Sequence, residues 1–224
     1  MAQYAGRRGN IRGAKGIYFQ MKIYFVRHAE SVANAKGVLS SKEDDGGITE
    51  KGKTQCNDLA STLNDINFDI AYISPFQRTK ETFFNFSTKV SSEEYVFDER
   101  LSELDYGNLH GETHESAEEH LKSTLSKIKN GDYKVRFGGV GENQAEFEHR
   151  IYGFLSEIIA SGKSNVLVVS HSSTIAVMEK LLIKVLELDT KRHSIGNCEY
   201  RYYTIKDPAL TAKKIEDIQT EPKT

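Results

Sequence analysis

The sequence predicts an α/β fold: a single-domain three-layer sandwich, with a mostly parallel sheet and helices on both faces. Three observations predict it. Short apolar runs recur along the 224 residues, and each leads into a helical pattern. The runs are close to continuously apolar, which suits strands buried on both faces of a parallel sheet. No internal repeat or low-complexity linker divides the chain, and its length suits one domain of this class.

The elements follow in order. Residues 1–20, "MAQYAGRRGNIRGAKGIYFQ", carry basic residues and glycines but no apolar core, so they are not a secretory signal. They read as a flexible leader or as a tag. "IYFQ" resembles the end of a protease-cleavage sequence, and Met21 makes a natural start. Lys22–Val26 is the first strand, Asp69–Ser74 ("DIAYIS") the second, and Glu94–Phe97 a weaker third. Asn165–Ser170 ("NVLVVS") is the strongest. "EYRYYTI", from Glu199, alternates more and is rich in tyrosine, as an edge strand would be. Between them, Thr49 suits the N-cap of a helix with Leu59 and Leu63 on one face. "ENQAEFEHRIYGFLSEIIAS" sets Phe147, Ile151, Phe154, Leu155, Ile158 and Ile159 along one stripe. "STIAVMEKLLIKVLEL" does the same with Ile175, Met178, Leu181, Leu182 and Val185. Residues 21–206 then form the domain, and 207–224 a polar tail or a marginal helix.

Composition narrows the function. The net charge is −2, without the basic excess of a general nucleic-acid binder. Any anion site must therefore be local. No apolar run is long enough to span a bilayer, so no membrane association is expected. The two cysteines, Cys56 and Cys198, form no CxxC pair. Reduced thiols in a cytoplasmic protein are the simple reading.

In open α/β sheets, function gathers at the carboxyl ends of the strands. Here the first strand runs into Arg27 and His28. The second runs into "SPFQRTKET", which puts Arg78 on the first turn of a helix. The strongest runs into "SHSSTI", with His171 at its tip. A lone histidine after a strand is ordinarily a cap or a surface residue. Two of them, accompanied by arginines, suggest chemistry. Arginine forks match phosphate oxygens and keep their charge. Helix N-termini add N–H donors. A neutral imidazole can be a covalent nucleophile. Arg27, Arg78 and a protonated His171 would hold a phosphoryl group while His28 attacks phosphorus. The acid that serves the leaving oxygen belongs in "DERLSELDYGNLHGET". Glu103, between Leu101 and Leu104, is one candidate, since partial burial would raise its pKa. Spacing alone slightly favours the plainer reading, in which Glu99, Glu103 and Asp105 are a solvated charge run.

Four ordered motifs carry a resemblance. "FVRHAES" with Asn34, "SPFQRTKET", "ERLSELDYGNLHG" and "VVSHSSTI" together resemble the histidine phosphatase superfamily, the phosphoglycerate mutase-like fold. The likeness runs from Met21 to the "EYRYYTI" strand. It implies that His28 is the phosphorylated histidine and Glu103 the proton donor that later activates water. It implies that Arg27, Arg78, His171 and Asn34 contact phosphate. Ala29 and Ser172 stand where the family usually has glycine. A turn needing positive φ would strain at Ala29, whereas Ser172 still offers its backbone N–H and adds a hydroxyl.

The chain resembles the phosphatase branch more than the cofactor-dependent mutases, whose capping segment does not follow "DYGNLHGETHES". The expectation is a phosphomonoester hydrolase acting on a small phosphorylated metabolite, with no metal or other cofactor and no nucleic-acid partner. Its oligomeric state is left open. Three rivals remain: a mutase needing a bisphosphorylated primer, a non-catalytic binder of phosphorylated ligands, and a metal-dependent hydrolase. The last would use His110, His114 and His120, although the HExxH pattern is absent. "FGGVGEN" suggests a flexible approach in which Glu142 caps a helix N-terminus or else lines the substrate mouth, with Arg150 an ion-pair or surface residue, and Lys36, Lys42 and His110 possible partners for a second anionic group.

Overall fold

The computed structural model describes residues 20–190 and 192–220. The leader expected over 1–20 lies outside them except for Gln20. β1 (Met21–Arg27), β2 (Ile70–Ile73), β3 (Tyr95–Phe97), β4 (Asn165–Ser170) and β5 (Tyr200–Ile205) form one sheet, in the order β3-β2-β4-β1-β5. The first four strands run parallel; β5 is the edge strand expected of the tyrosine-rich run, and it runs antiparallel.

Side chains alternate across each strand, so β1 feeds two cores. Met21, Ile23 and Phe25 face one way and join Val166 and Val168 of β4. On that side pack α5 (Gln144–Ala160), α6 (Ser172–Val185) and α7 (Pro208–Thr220). Tyr24 and Val26 face the other way with Leu167 and Val169, beneath α2 (Glu50–Leu63) and α3 (Gln77–Phe86). Both faces are covered, which gives the three-layer sandwich. The two helical stripes read from the sequence are buried along their whole length. Each large aliphatic or aromatic side chain buried there contributes about 1.5–3 kcal/mol. α1 (Val32–Lys36) and α4 (His114–Lys129) complete the helices described.

Of the two readings of the segment from residue 207, a polar tail or a marginal helix, the helix is the one found: Pro208–Thr220 form α7, which docks on the core through Ala212 and Ile215, both buried. Its polar residues occupy the outer face, so a narrow apolar edge suffices to hold it.

Among the described residues, no helix is long and apolar enough to cross a membrane.

Candidate active site

The parallel register builds the site. Arg27 at the end of β1 lies beside Ser170 at the end of β4. The next residues, His28 and His171, therefore emerge side by side, with ring centroids 5.2 Å apart. β2 flanks β4 on its other side. Ser74 follows it, its N–H bonded to the Val169 carbonyl, and the chain turns into α3 with Arg78 as its second residue. Three neighbouring strand ends thus deliver the predicted histidines and arginines to one place.

His28 is buried, and its Nδ1 lies 2.7 Å from the Ala29 carbonyl. A carbonyl only accepts, so Nδ1 carries the proton and Nε2 keeps its lone pair. Burial, then the nearby Arg78 and Arg27 charges, hold His28 well below the ordinary 6.5 despite the Ala29 hydrogen bond, so the ring is neutral at pH 7. Ala29 donates its own N–H to Thr82 Oγ1 at 2.9 Å. It is not among the described non-glycine residues with positive φ, so the substitution for glycine carries no strain of that kind.

His171 corrects one expectation. Arg78 Nε and Nη2 approach its Nδ1 at 3.2 and 3.1 Å. Arginine only donates, so Nδ1 is unprotonated, and Nε2–H donates to Ser74 Oγ at 2.7 Å. The ring is neutral here, not the expected imidazolium. Burial and the facing Arg78 charge, with smaller effects of His28 and the other arginines, hold it well below 6.5.

Arg78 is itself buried and mounted on Asp45, a residue that sequence reasoning missed. Nη1 meets Asp45 Oδ1 at 2.8 Å, and the Arg78 backbone N–H meets Oδ2 at 2.7 Å. Nη1 also donates to Ser40 Oγ, and the guanidinium lies over the Phe76 ring at 4.5 Å. Arg27 donates from Nη1 to the Ile195 carbonyl at 2.8 Å, while its Nε is a buried donor without a protein partner. Such an orphan is costly unless a ligand takes it.

Asn34 closes a capping box at the start of α1, and its Oδ1 also accepts from Asn197 Nδ2 at 3.0 Å. Asn197 Nδ2 further donates to the His28 carbonyl at 3.0 Å. Asn34 therefore joins the site through a side chain 163 residues away, and its amide N–H groups are the donors it can offer an anion. Ser172 opens α6, whose N-cap His171 makes no side-chain cap, so the positive end of that helix faces the site.

Glu103 is half-buried between Leu101 and Leu104. Its Oε2 accepts from the Ser173 N–H at 3.3 Å and its Oε1 from Thr174 Oγ1 at 3.4 Å. The carboxylate thus faces the start of α6, next to His171. Arg150, expected as an ion-pair or surface residue, also supports the loop behind it. It pairs with Glu142 at 2.7 Å and donates to the carbonyls of Arg100, Ser102 and Glu103. Glu142 is consequently not the helix cap; Asn143 caps α5, in a box with Glu146. The "FGGVG" turn clamps the same loop: a Cβ on Gly138, at φ 55°, would collide with the Tyr106 carbonyl.

Two clefts flank Glu103. One, of about 260 Å³, is lined by Lys42, Phe76 and His110 among others; the second, of about 320 Å³, by Arg136, Glu142 and Arg150. Lys42 and His110 thus share a cleft wall, and each already pairs with a carboxylate, Glu99 and Asp105. Lys36 is in the last turn of α1 and lines neither cleft. His110 precedes α4 instead of sharing its face with His114, and among the described residues no three His, Cys, Asp or Glu gather as metal ligands.

Comparisons with known proteins find relatives along most of the chain. Phosphoserine phosphatase 1 of Hydrogenobacter thermophilus is 29% identical over 186 residues, 83% of this chain and 85% of that protein. The 2,3-bisphosphoglycerate-dependent phosphoglycerate mutase of Thermoplasma acidophilum is also 29% identical, over 79% of this chain and 84% of the mutase. The crystal structure of phosphoglycerate mutase from Bacillus anthracis shares the fold, with a TM-score of 0.66 at 21% identity, covering 87% of this chain and 96% of that one. The family model for the histidine phosphatase superfamily (branch 1) matches residues 23–218, from β1 into α7. With nearly the whole described chain inside that match, the protein belongs to the histidine phosphatase superfamily.

Proposed function

We propose that the chain is a phosphomonoester hydrolase acting on a small phosphorylated metabolite through a phosphohistidine at His28. One observation carries this reading: a neutral, buried His28 with its Nε2 lone pair free stands beside Arg78 and an Arg27 whose Nε lacks a protein partner. In the first step Nε2 attacks phosphorus, the P–O bond to the alcohol breaks, and Glu103 gives its proton to the leaving oxygen. In the second, Glu103 takes a proton from water, the water oxygen attacks phosphorus, and the P–N bond breaks to restore His28. Arg27, Arg78, Asn34 and the start of α6 at Ser172 bind the phosphoryl oxygens, whose charge spreads in the transition state.

His171 joins this cradle when substrate arrives. Burial keeps its ring neutral together with the arginine charges, and those charges are offset by a phosphate dianion. Arg78 then turns its fork from Nδ1 to the phosphoryl oxygens, and the ring takes up a proton. Phosphate binding and proton uptake are therefore linked.

The substrate's remaining groups would occupy the clefts beside Glu103, where Lys42 and His110 can exchange their carboxylate partners for an anionic substituent. The two relatives described above act on different substrates, and phosphoserine is the one whose named activity matches hydrolysis. Metal-independent action in the cytoplasm completes the proposal.

The test is purified protein with a panel of phosphomonoesters, with and without chelator and with and without 2,3-bisphosphoglycerate. The reading expects turnover that needs no primer and survives chelation, with an acid-labile phosphoenzyme on rapid quenching. His28→Ala should abolish both turnover and phosphoenzyme. Near-normal turnover by that variant would defeat the covalent scheme, and strict primer dependence would favour a mutase.

A further inference from the structure

We propose that Cys56 and Cys198 are an oxidisable thiol pair, whose disulfide ties α2 to the segment bracing the nucleophile loop and so lowers turnover. The effect on turnover rests on the phosphatase reading; formation of the disulfide does not.

The two thiols are free, and their Sγ atoms lie 3.8 Å apart although 142 residues separate them in sequence. Cys56 is buried on α2, one turn beyond Gly52. That part of α2 fits closely under the nucleophile loop: a Cβ on Gly52 would stand 2.5 Å from the Glu30 carbonyl oxygen. Cys198 packs against the same core and is half-buried, so solvent reaches the pair there. Its N–H donates to the Arg27 carbonyl at 3.1 Å and to the His28 carbonyl at 3.3 Å. Its neighbours add the Asn197 bond to the His28 carbonyl and the Ile195 carbonyl that accepts from Arg27. Residues 195–198 are thus the rear brace of Arg27 and His28. Cys198 holds φ at 56°, uncommon for a residue other than glycine, which marks a segment fixed by these contacts.

The chemistry balances with hydrogen peroxide as oxidant. The Cys198 sulfur, the one solvent reaches, attacks one peroxide oxygen as its thiolate; the S–O bond forms, the O–O bond breaks, and hydroxide leaves as water on taking the thiol proton. The buried Cys56 sulfur then attacks the sulfenic sulfur. The S–S bond forms, the S–O bond breaks, and hydroxide leaves as a second water with the Cys56 proton. Two thiols are oxidised to a disulfide and one peroxide is reduced to two waters.

Bonding draws the sulfurs from 3.8 Å to about 2.05 Å. Cys56 is anchored in a packed helix, so the movement falls on 195–198 and passes to the Arg27 and His28 carbonyls. Misplacing a reacting group by about 1 Å can cost on the order of 10² in rate.

The experiment treats the full chain with hydrogen peroxide. It then counts free thiols after denaturation, measures intact mass, and follows p-nitrophenyl phosphate hydrolysis. The expected result is loss of both thiols, a mass lower by two hydrogens, and at least a roughly tenfold fall in kcat that dithiothreitol reverses. Cys56→Ser should match the parent before treatment and keep its activity afterwards; Cys56→Ala replaces it where a buried hydroxyl is not tolerated. Absence of the disulfide, a disulfide with unchanged kcat, or equal inactivation of the Cys56 variant would each overturn the proposal. If the reduced protein is inert on every ester, the phosphatase reading fails, while thiol count and mass still judge the pair.

Discussion

Asp45 carries Arg78 on two fixed contacts, one to the guanidinium and one to the backbone N–H, and all three groups are buried. Breaking a buried pair leaves an uncompensated charge, so Asp45→Ala should cost about 3–5 kcal/mol of stability. Because Arg78 loses its mount, kcat should fall more than KM rises. Denaturant unfolding and steady-state kinetics check the two parts, and an unchanged kcat in folded variant would show Asp45 to be structural only. Glu103→Gln separates a different role. It should slow esters of poor leaving groups far more than p-nitrophenyl phosphate, whose phenolate needs little protonation. Equal loss on both would move the acid elsewhere, with Glu99 next. The four residues at strand ends were legible in the sequence because an apolar strand delivers its next residue to a known edge of the sheet. Asp45, Asn197 and Arg150 as a brace were not. Each acts through a partner 33 to 169 residues away, across loops whose paths no local pattern records.

Helix placement decides whether the nucleophile loop keeps its shape. In α2 the Glu30 carbonyl occupies the space a side chain at position 52 would need. Gly→Ala within a helix ordinarily gains up to about 1 kcal/mol. At position 52 the clash is with backbone and outweighs that gain, since overpacking costs about 1–3 kcal/mol. Gly52→Ala should therefore lower both thermal stability and kcat/KM. Gly153→Ala in α5 is the contrast, because its nearest neighbour would be Gln219 Nε2 at 3.7 Å. It should raise stability by about 0.4–1 kcal/mol without touching turnover. Paired melting curves and kinetics test both, and a neutral Gly52→Ala would mean that the loop tolerates displacement. The helices legible in the sequence are α5 and α6, with their long apolar stripes, α2, with its Thr49 cap and its Leu59 and Leu63 face, and the start of α3 at Arg78. α4 buries only Ala117 and Thr124 fully, and α1 spans five residues, so neither shows a period to read. α7 read only as a tail or a marginal helix for the same reason: the core takes only its narrow edge around Ala212 and Ile215.

At the scale of the molecule, the order β3-β2-β4-β1-β5 places two histidine-bearing strand ends at the centre, covered by helices on both faces. Sequence alone showed that the strands run parallel and end in chemistry, but not their order, which is set by which hydrophobic faces meet in three dimensions. Centrality has a cost that can be measured. His28 and His171 are both buried neutral, with folded pKa values well below the ordinary 6.5. Below pH 6.5 the unfolded chain binds protons on these two rings that the folded chain does not bind. Stability therefore rises with pH in that window. It is at its full value above about pH 6.5 and is lost as pH falls, by up to about 1.4 kcal/mol per pH unit for each histidine until its folded pKa is reached. Chemical denaturation between pH 7 and 5 should show this slope, and His171→Asn should remove about half of it. Saturating inorganic phosphate should flatten the slope as well, because a bound dianion lets the folded protein take up the same proton. A slope unaffected by either the variant or phosphate would mean that the central histidines are not the groups that titrate.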